Sequence, residues 1–251
     1  MSIIQTLYDL ELEQTELLHR EKVDGEWVAI RQYENYRWLS LGGDMMQSLM
    51  DIEHPEELLL PNLNTMLACL DIPNEPINCL NVGAGAGCID RFLKESKPSI
   101  SLTSLESNAH VIRLANEFFN MPDGYCIETD IESYIEEGNA SFNAILFDIY
   151  SEETNPACLY EDNFYKKLSS IMAEQCILAF NLLPESEEDL LGIIKPLNHY
   201  VNVLLLHEVP NHNNVIIYAI HDVEATTQSI MDSTQILIEQ GIHIDTLSMN
   251  C

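Results

Sequence analysis

Apolar residues recur along most of this chain in two rhythms. Between residues 78 and 180 short apolar runs end in turns and are followed by stretches with helical spacing, the sign of a parallel sheet covered by helices. This predicts strands over 78–82, 101–105, 124–128, 144–147 and 176–180. Helices are expected over 88–96 and 109–119, after Asp130, over 164–172, and opening within the acidic stretch 185–191. Residues 200–207 and 214–220 read as an antiparallel hairpin joined by Val209-Pro210-Asn211-His212-Asn213, and a last helix over 226–240 stops at Gly241. The first 60 residues differ. Runs at 26–30 and 36–41 alternate or carry aromatic and β-branched residues before Gly42-Gly43, which predicts a small antiparallel β domain. Helical spacing over 56–70 is broken by Pro61, a natural first residue of a helix. The division expected is a β domain over 1–60 and an α/β domain over 61–251, its sheet mostly parallel with an antiparallel C-terminal hairpin.

Composition narrows the class. At 251 residues and 46% hydrophobic content the chain can bury a core. No apolar run approaches the ~20 residues of a membrane span, and the first ten residues lack a basic leader, so a soluble cytoplasmic protein with no membrane partner is expected. Seven cysteines without CxxC spacing suit a reducing compartment, and eight histidines without HxH, HExxH or HxxxH spacing give no metal site. Eleven Lys and Arg against 41 Asp and Glu leave a net charge of −30, and after Lys195 there is no Lys or Arg. Such a field repels nucleic acid and attracts cations, so a small-molecule amine is the partner it favours, although solubility alone also accounts for it. Trp38, Met45, Met46 and Met50 suit a homodimer face or a hairpin core equally well.

The chemistry concentrates after the first strand of the α/β domain. Gly83-Ala84-Gly85-Ala86-Gly87 stands between a strand and a helix, where missing side chains let the backbone approach a ligand. Glu106 ends the next strand, placed for a carboxylate to accept both hydroxyl protons of a ribose. Asp130 and Asp148 reach the same sheet edge, so four strand ends converge on one pocket. A GxGxG turn without a second binding half suits one nucleoside better than a dinucleotide.

From Tyr36 to Leu182 these residues resemble spermidine synthase and its relatives, the aminopropyltransferase-like branch of the S-adenosylmethionine-dependent, Rossmann-like methyltransferase fold. The resemblance implies an S-adenosylmethionine-type or methylthioadenosine ligand. It assigns nucleoside contact to Gln47, the glycine loop to Gly83 and Gly85, the ribose to Glu106, the adenine amino group to Asp130 and the reacting centre to Asp148. Three positions depart from the pattern. Ala86 replaces an aspartate that grips the donor's amine, Ser151 replaces a second aspartate beyond Asp148, and 58–61 lacks a tyrosine used for the acceptor amine. A lost charge-assisted hydrogen bond is worth about 1.5–3 kcal/mol, or one to two decades of donor preference.

Transfer of an aminopropyl or alkyl group to an amine is therefore expected, with Asp148 orienting and deprotonating the amine and Tyr150 a lid or a packing residue. Methyl transfer is the alternative. A binding protein without turnover, and a nicotinamide-dependent oxidoreductase needing a site that extends past Glu106, are readings from other classes.

Overall fold

The computed structural model describes residues 3–23, 25–43, 46–72, 77–122, 124, 126–138, 140–149, 154–222, 227–243 and 245–246. A short helix α1 (Ile3–Tyr8) precedes a four-stranded antiparallel sheet, β1 (Glu16–Val23), β2 (Glu26–Tyr33), β3 (Tyr36–Leu41) and β4 (Met46–Asp51), in sequential order. Helix α2 (Pro61–Leu67), with Pro61 in its first turn, leads into the α/β part. There β5 (Asn78–Val82), α3 (Cys88–Ser96), β6 (Ser101–Glu106), α4 (Ala109–Phe118), β7 (Cys126–Glu128), α5 (Ile131–Glu137) and β8 (Phe142–Phe147) alternate. They are followed by α6 (Asp162–Leu168), β9 (Met172–Leu182), α7 (Glu187–Leu197), β10 (Val203–Glu208), β11 (Val215–Asp222), α8 (Thr227–Glu239) and β12 (Asp245–Thr246). The large sheet has the order β7-β6-β5-β8-β9-β11-β10-β12. Strands β5 to β9 are mutually parallel, and β11 inserts antiparallel between β9 and β10.

The apolar strands have no polar face because both faces are covered. In β8, Ala144 and Leu146 join one core layer, with Met66 of α2, Leu93 of α3 and Leu237 of α8. Ile145 and Phe147 join the other, with Phe164 of α6 and Ile194 of α7. Phe147 and Phe180, on adjacent parallel strands, stack at 4.5 Å. A third cluster brings Val28, Ile30, Leu39 and Met50 of the small sheet against Ala86, Leu114 and Phe119. Trp38, Met46 and Met50 are thus buried in the chain's own core, while Met45 lies outside the described residues.

Two expectations need correction. The helix expected over 164–172 ends at Leu168, and β9 begins at Met172, four residues before the expected strand. Ser169 and Ser170 donate their hydroxyls to Lys166 O and Lys167 O at 2.8 and 2.7 Å, closing the helix with a turn that apolar spacing cannot register. Helix α1 and strand β1 were also unanticipated. Strand β1 carries His19-Arg20-Glu21-Lys22 because it is a sheet edge, where charge guards against pairing with another chain. Among the described residues no helix is long and apolar enough to cross a membrane.

Candidate active site

The carboxyl ends of β5 to β9 open into one cleft of about 1410 Å³, walled on its far side by β4, α1 and the start of α2. Its lining includes Gln47, Gly83, Gly85, Glu106, Asp130 and Asp148, so all six residues singled out in the sequence meet there.

The glycine turn is shaped by its neighbours. Gly83 has a φ of 91°, and a Cβ on it would run into the backbone of Asp148 and lie 2.8 Å from Ile149 Cγ2. The sequence reading attributed the glycines to close approach of a ligand. At Gly83 there is in addition a close approach between the ends of β5 and β8, which sets Asp148 against the loop. Gly85 faces Ser48 Oγ, which also accepts from Ala86 N at 3.2 Å, so strand β4 touches the loop directly. Below the loop the buried Asp90 of α3 accepts from Ser104 of β6 and Asn81 of β5 at 2.5 and 3.2 Å. Burial pushes its carboxyl up. Arg91, also buried, donates to Ala86 O, Phe119 O and Pro55 O, joining the loop, the end of α4 and the segment after β4.

Glu106 is held by two backbone N–H groups, Gly85 N to Oε2 and Asn108 N to Oε1, each at 3.0 Å. Burial raises its carboxyl above the ordinary range, and those N–H groups oppose the rise. Each oxygen retains a lone pair for a ligand hydroxyl. Asp130 is exposed at the rim and caps α5, accepting from Ser133 N at 2.8 Å and Ser133 Oγ at 2.9 Å, which holds its carboxyl low. Gln47, on β4, is half-buried in the wall.

Asp148 lies centrally, one residue beyond β8. Burial pushes its carboxyl up to about 6, against the pull of a hydrogen bond that Asn181 Nδ2 donates to Oδ1 at 2.8 Å. Asn214 Nδ2 in turn donates to Asn181 Oδ1 at 2.8 Å. Behind the cleft wall Asn155 exchanges hydrogen bonds with the lining residue Leu183, at 3.0 and 3.2 Å. Tyr150 and Ser151 lie outside the described residues. The Ala86 side chain points away from the cleft, fully buried among Val28, Leu39 and Phe119.

Sequence reasoning missed Ser48, Asn181, Asn214 and Tyr8, whose helix α1 brings it to the cleft wall. Only Asn181 left a signal, a polar residue inside the otherwise apolar run 176–183. Among the described residues no group of three or more His, Cys, Asp or Glu could hold a metal ion.

No family model matches the chain. It is 25% identical over 205 residues to the polyamine aminopropyltransferase of Chromobacterium violaceum, covering 80% of this chain and 78% of the relative. Its fold matches a probable spermidine synthase from Corynebacterium glutamicum with a TM-score of 0.73 at 15% identity, over 92% of this chain and 90% of that one. Human methyltransferase-like protein 13, solved in complex with SAH, matches with a TM-score of 0.59 at 19% identity, over 72% and 88%. In sequence the chain is similar to polyamine aminopropyltransferases, and its fold is the Rossmann-like one shared by the solved spermidine synthase and methyltransferase-like structures.

Proposed function

We propose that the cleft binds an S-adenosyl sulfonium donor and transfers its aminopropyl group to an amine. The observation that carries this reading is the charge of the wall. Its described lining includes four carboxylates, Glu106, Asp130, Glu132 and Asp148, and no lysine or arginine. A decarboxylated donor, with a sulfonium and an ammonium, is attracted throughout such a cleft, whereas the carboxylate of intact S-adenosylmethionine meets no cation there. The relationship to polyamine aminopropyltransferases supports the same reading.

Glu106 takes the ribose hydroxyls, and Gly83 and Gly85 keep the loop low enough for the nucleoside to lie across it. Asp130 and Gln47 border the nucleoside from the rim and from β4. Asp148, largely ionised at neutral pH, pairs with the acceptor ammonium and accepts its proton, freeing the nitrogen lone pair. The sulfonium supplies an activated carbon: the C–N bond forms as the C–S bond breaks, and its electron pair stays on sulfur in neutral methylthioadenosine. The chain's contribution is alignment and a dry, anionic setting.

Methyl transfer is the second reading: where the family pattern has an aspartate for the donor's amine this chain has Ala86, buried away from the cleft, so no carboxylate from that position meets the amine. Calorimetric titration with S-adenosylmethionine, its decarboxylated form and methylthioadenosine, repeated on Glu106→Ala, separates the two. Tighter binding of the decarboxylated donor, lost about 100-fold or more in the variant, is expected, since two ribose hydrogen bonds to a charged group are removed. Tighter binding of the intact form supports methyl transfer, and no binding of any of the three rejects both.

A further inference from the structure

The group at the centre of the cleft is not self-supporting. Asp148 follows the last residue of β8, where strand pairing ends, and a carboxylate there has two side-chain torsions to lose before it can present one oxygen in a fixed direction. Its Oδ1 accepts from Asn181 Nδ2 at 2.8 Å. Its Oδ2 has no hydrogen-bond partner among the described residues, and Asp148 lines the cleft. A carboxylate can only accept, so the Asn181 amide must turn its NH2 toward Asp148 and its oxygen away. That oxygen accepts from Asn214 Nδ2 at 2.8 Å, which completes the relay. Asn181 is 1% exposed, in the middle of the sheet on β9, so it reaches neither donor nor acceptor through open solvent. Asn214 immediately precedes β11 and closes the turn whose residues Pro210 to Asn213 form part of the cleft wall.

We propose that Asn181 is a positioning residue for the transfer reaction, pinning one oxygen of Asp148 so that the other faces the acceptor, with Asn214 locking the amide and coupling it to the hairpin wall. This rests on the reading of Asp148 as the group that meets the acceptor. The amide is also the source of the stabilisation that opposes burial of the charge. The other titratable groups lining the cleft are Tyr8 on α1, Cys88 at the start of α3, Glu106 at the end of β6, Asp130 and Glu132 at the start of α5, Cys158 after β8 and His212 in the hairpin turn. None of these is hydrogen-bonded to Asp148 among the described residues, so Asn181 is the polar group whose removal Asp148 should sense most directly.

Asn181→Leu deletes the donor while keeping the branching at Cγ, and Asn214→Ala leaves Asn181 in place but releases it. The Asp148 carboxyl is followed by carbon-13 NMR titration of the unliganded protein, with Asp148→Asn assigning the signal. In Asn181→Leu the midpoint is expected to rise by about one unit or more, the value of one hydrogen bond to a charged group. In Asn214→Ala the rise is expected to be a few tenths of a unit. In the same variants the acidic limb of kcat/KM moves by the same amounts, and in Asn181→Leu kcat stays at least tenfold down above that limb, where the charge alone is restored. An unchanged midpoint in folded Asn181→Leu overturns the proposal. Should that variant fail to fold, an unchanged midpoint together with an unchanged kcat in Asn214→Ala overturns it. The NMR midpoint requires no turnover, so a shifted midpoint in a protein that binds none of the donors rejects the functional reading while leaving the hydrogen-bond relay intact.

Discussion

Gly83→Ala tests how the site is assembled. Two costs arise at this position and they can be separated. With a φ of 91°, an L residue is placed where its Cβ is disfavoured, at about 1–2 kcal/mol. The added Cβ also lies 2.8 Å from Ile149 Cγ2 and 2.9 Å from the carbonyl carbon of Asp148, with the Asp148 oxygen closer still. Those atoms have little freedom. Asp148 N donates to Val82 O at 2.9 Å, Gly83 N to Leu105 O at 2.9 Å, and β8 is paired on both sides. Relief therefore requires parting the carboxyl ends of β5 and β8, an overpacking cost of about 1–3 kcal/mol. The sum is about 2–5 kcal/mol. Gly25→Ala provides the comparison, because Gly25 has a φ of 98° and no atom within 4 Å of its added Cβ. It carries the backbone cost alone. Urea unfolding of the parent and both variants at one pH gives the two losses, and kcat of Gly83→Ala, with Asp148 displaced, should fall well beyond that of Gly25→Ala. Equal stability losses in the two variants would refute the claim that strand-to-strand contact fixes Gly83.

Two further expectations concern buried charge. Asp148, at about 6, binds its proton more tightly in the folded chain than an ordinary carboxyl at about 3.9, so its contribution to stability is complete at acid pH and is lost as pH rises from 4 to 6. Asp148→Asn should thus be inactive yet more stable than the parent by up to about 3 kcal/mol at pH 8, the difference vanishing near pH 4; a variant less stable than the parent at pH 8 contradicts the assignment. Arg91→Lys should lose about 3–5 kcal/mol in thermal or urea unfolding, because an ammonium cannot span Ala86 O, Phe119 O and Pro55 O as the guanidinium does; a loss below about 1 kcal/mol would show that those carbonyls find other partners.

The α/β part was legible because its strands are buried on both faces and its helices carry explicit boundaries. Asn108 and Asp130 cap α4 and α5, and Gly87 and Gly241 border α3 and α8. The sheet edge was not legible, since β1 exposes charge where a strand pattern would expect alternation. In the site, Gly83, Glu106 and Asp148 stood out because each follows an apolar strand. Ser48, Asn181 and Asn214 did not, because their roles depend on pairs separated by 38, 33 and 33 residues, a proximity that no local pattern encodes. Ala86 shows the converse. Its identity was noticed at once, but only packing reveals that its side chain is enclosed by Val28, Leu39 and Phe119.

The contact between strand β4 and the glycine loop bears on how such a protein can be altered or diversified. Ser48 holds Ala86 N, Arg91 ties the loop to Pro55, and Gln47 stands in the cleft wall. The small sheet is consequently not an interchangeable attachment. A chimera bearing another protein's sheet would inherit a foreign back wall and a loop missing its outer hydrogen bond, so new specificity must be sought by co-varying both sides of that seam. For the same reason a ligand seated between them cross-links the two halves, and its binding should register as a single cooperative rise in melting temperature of the whole chain.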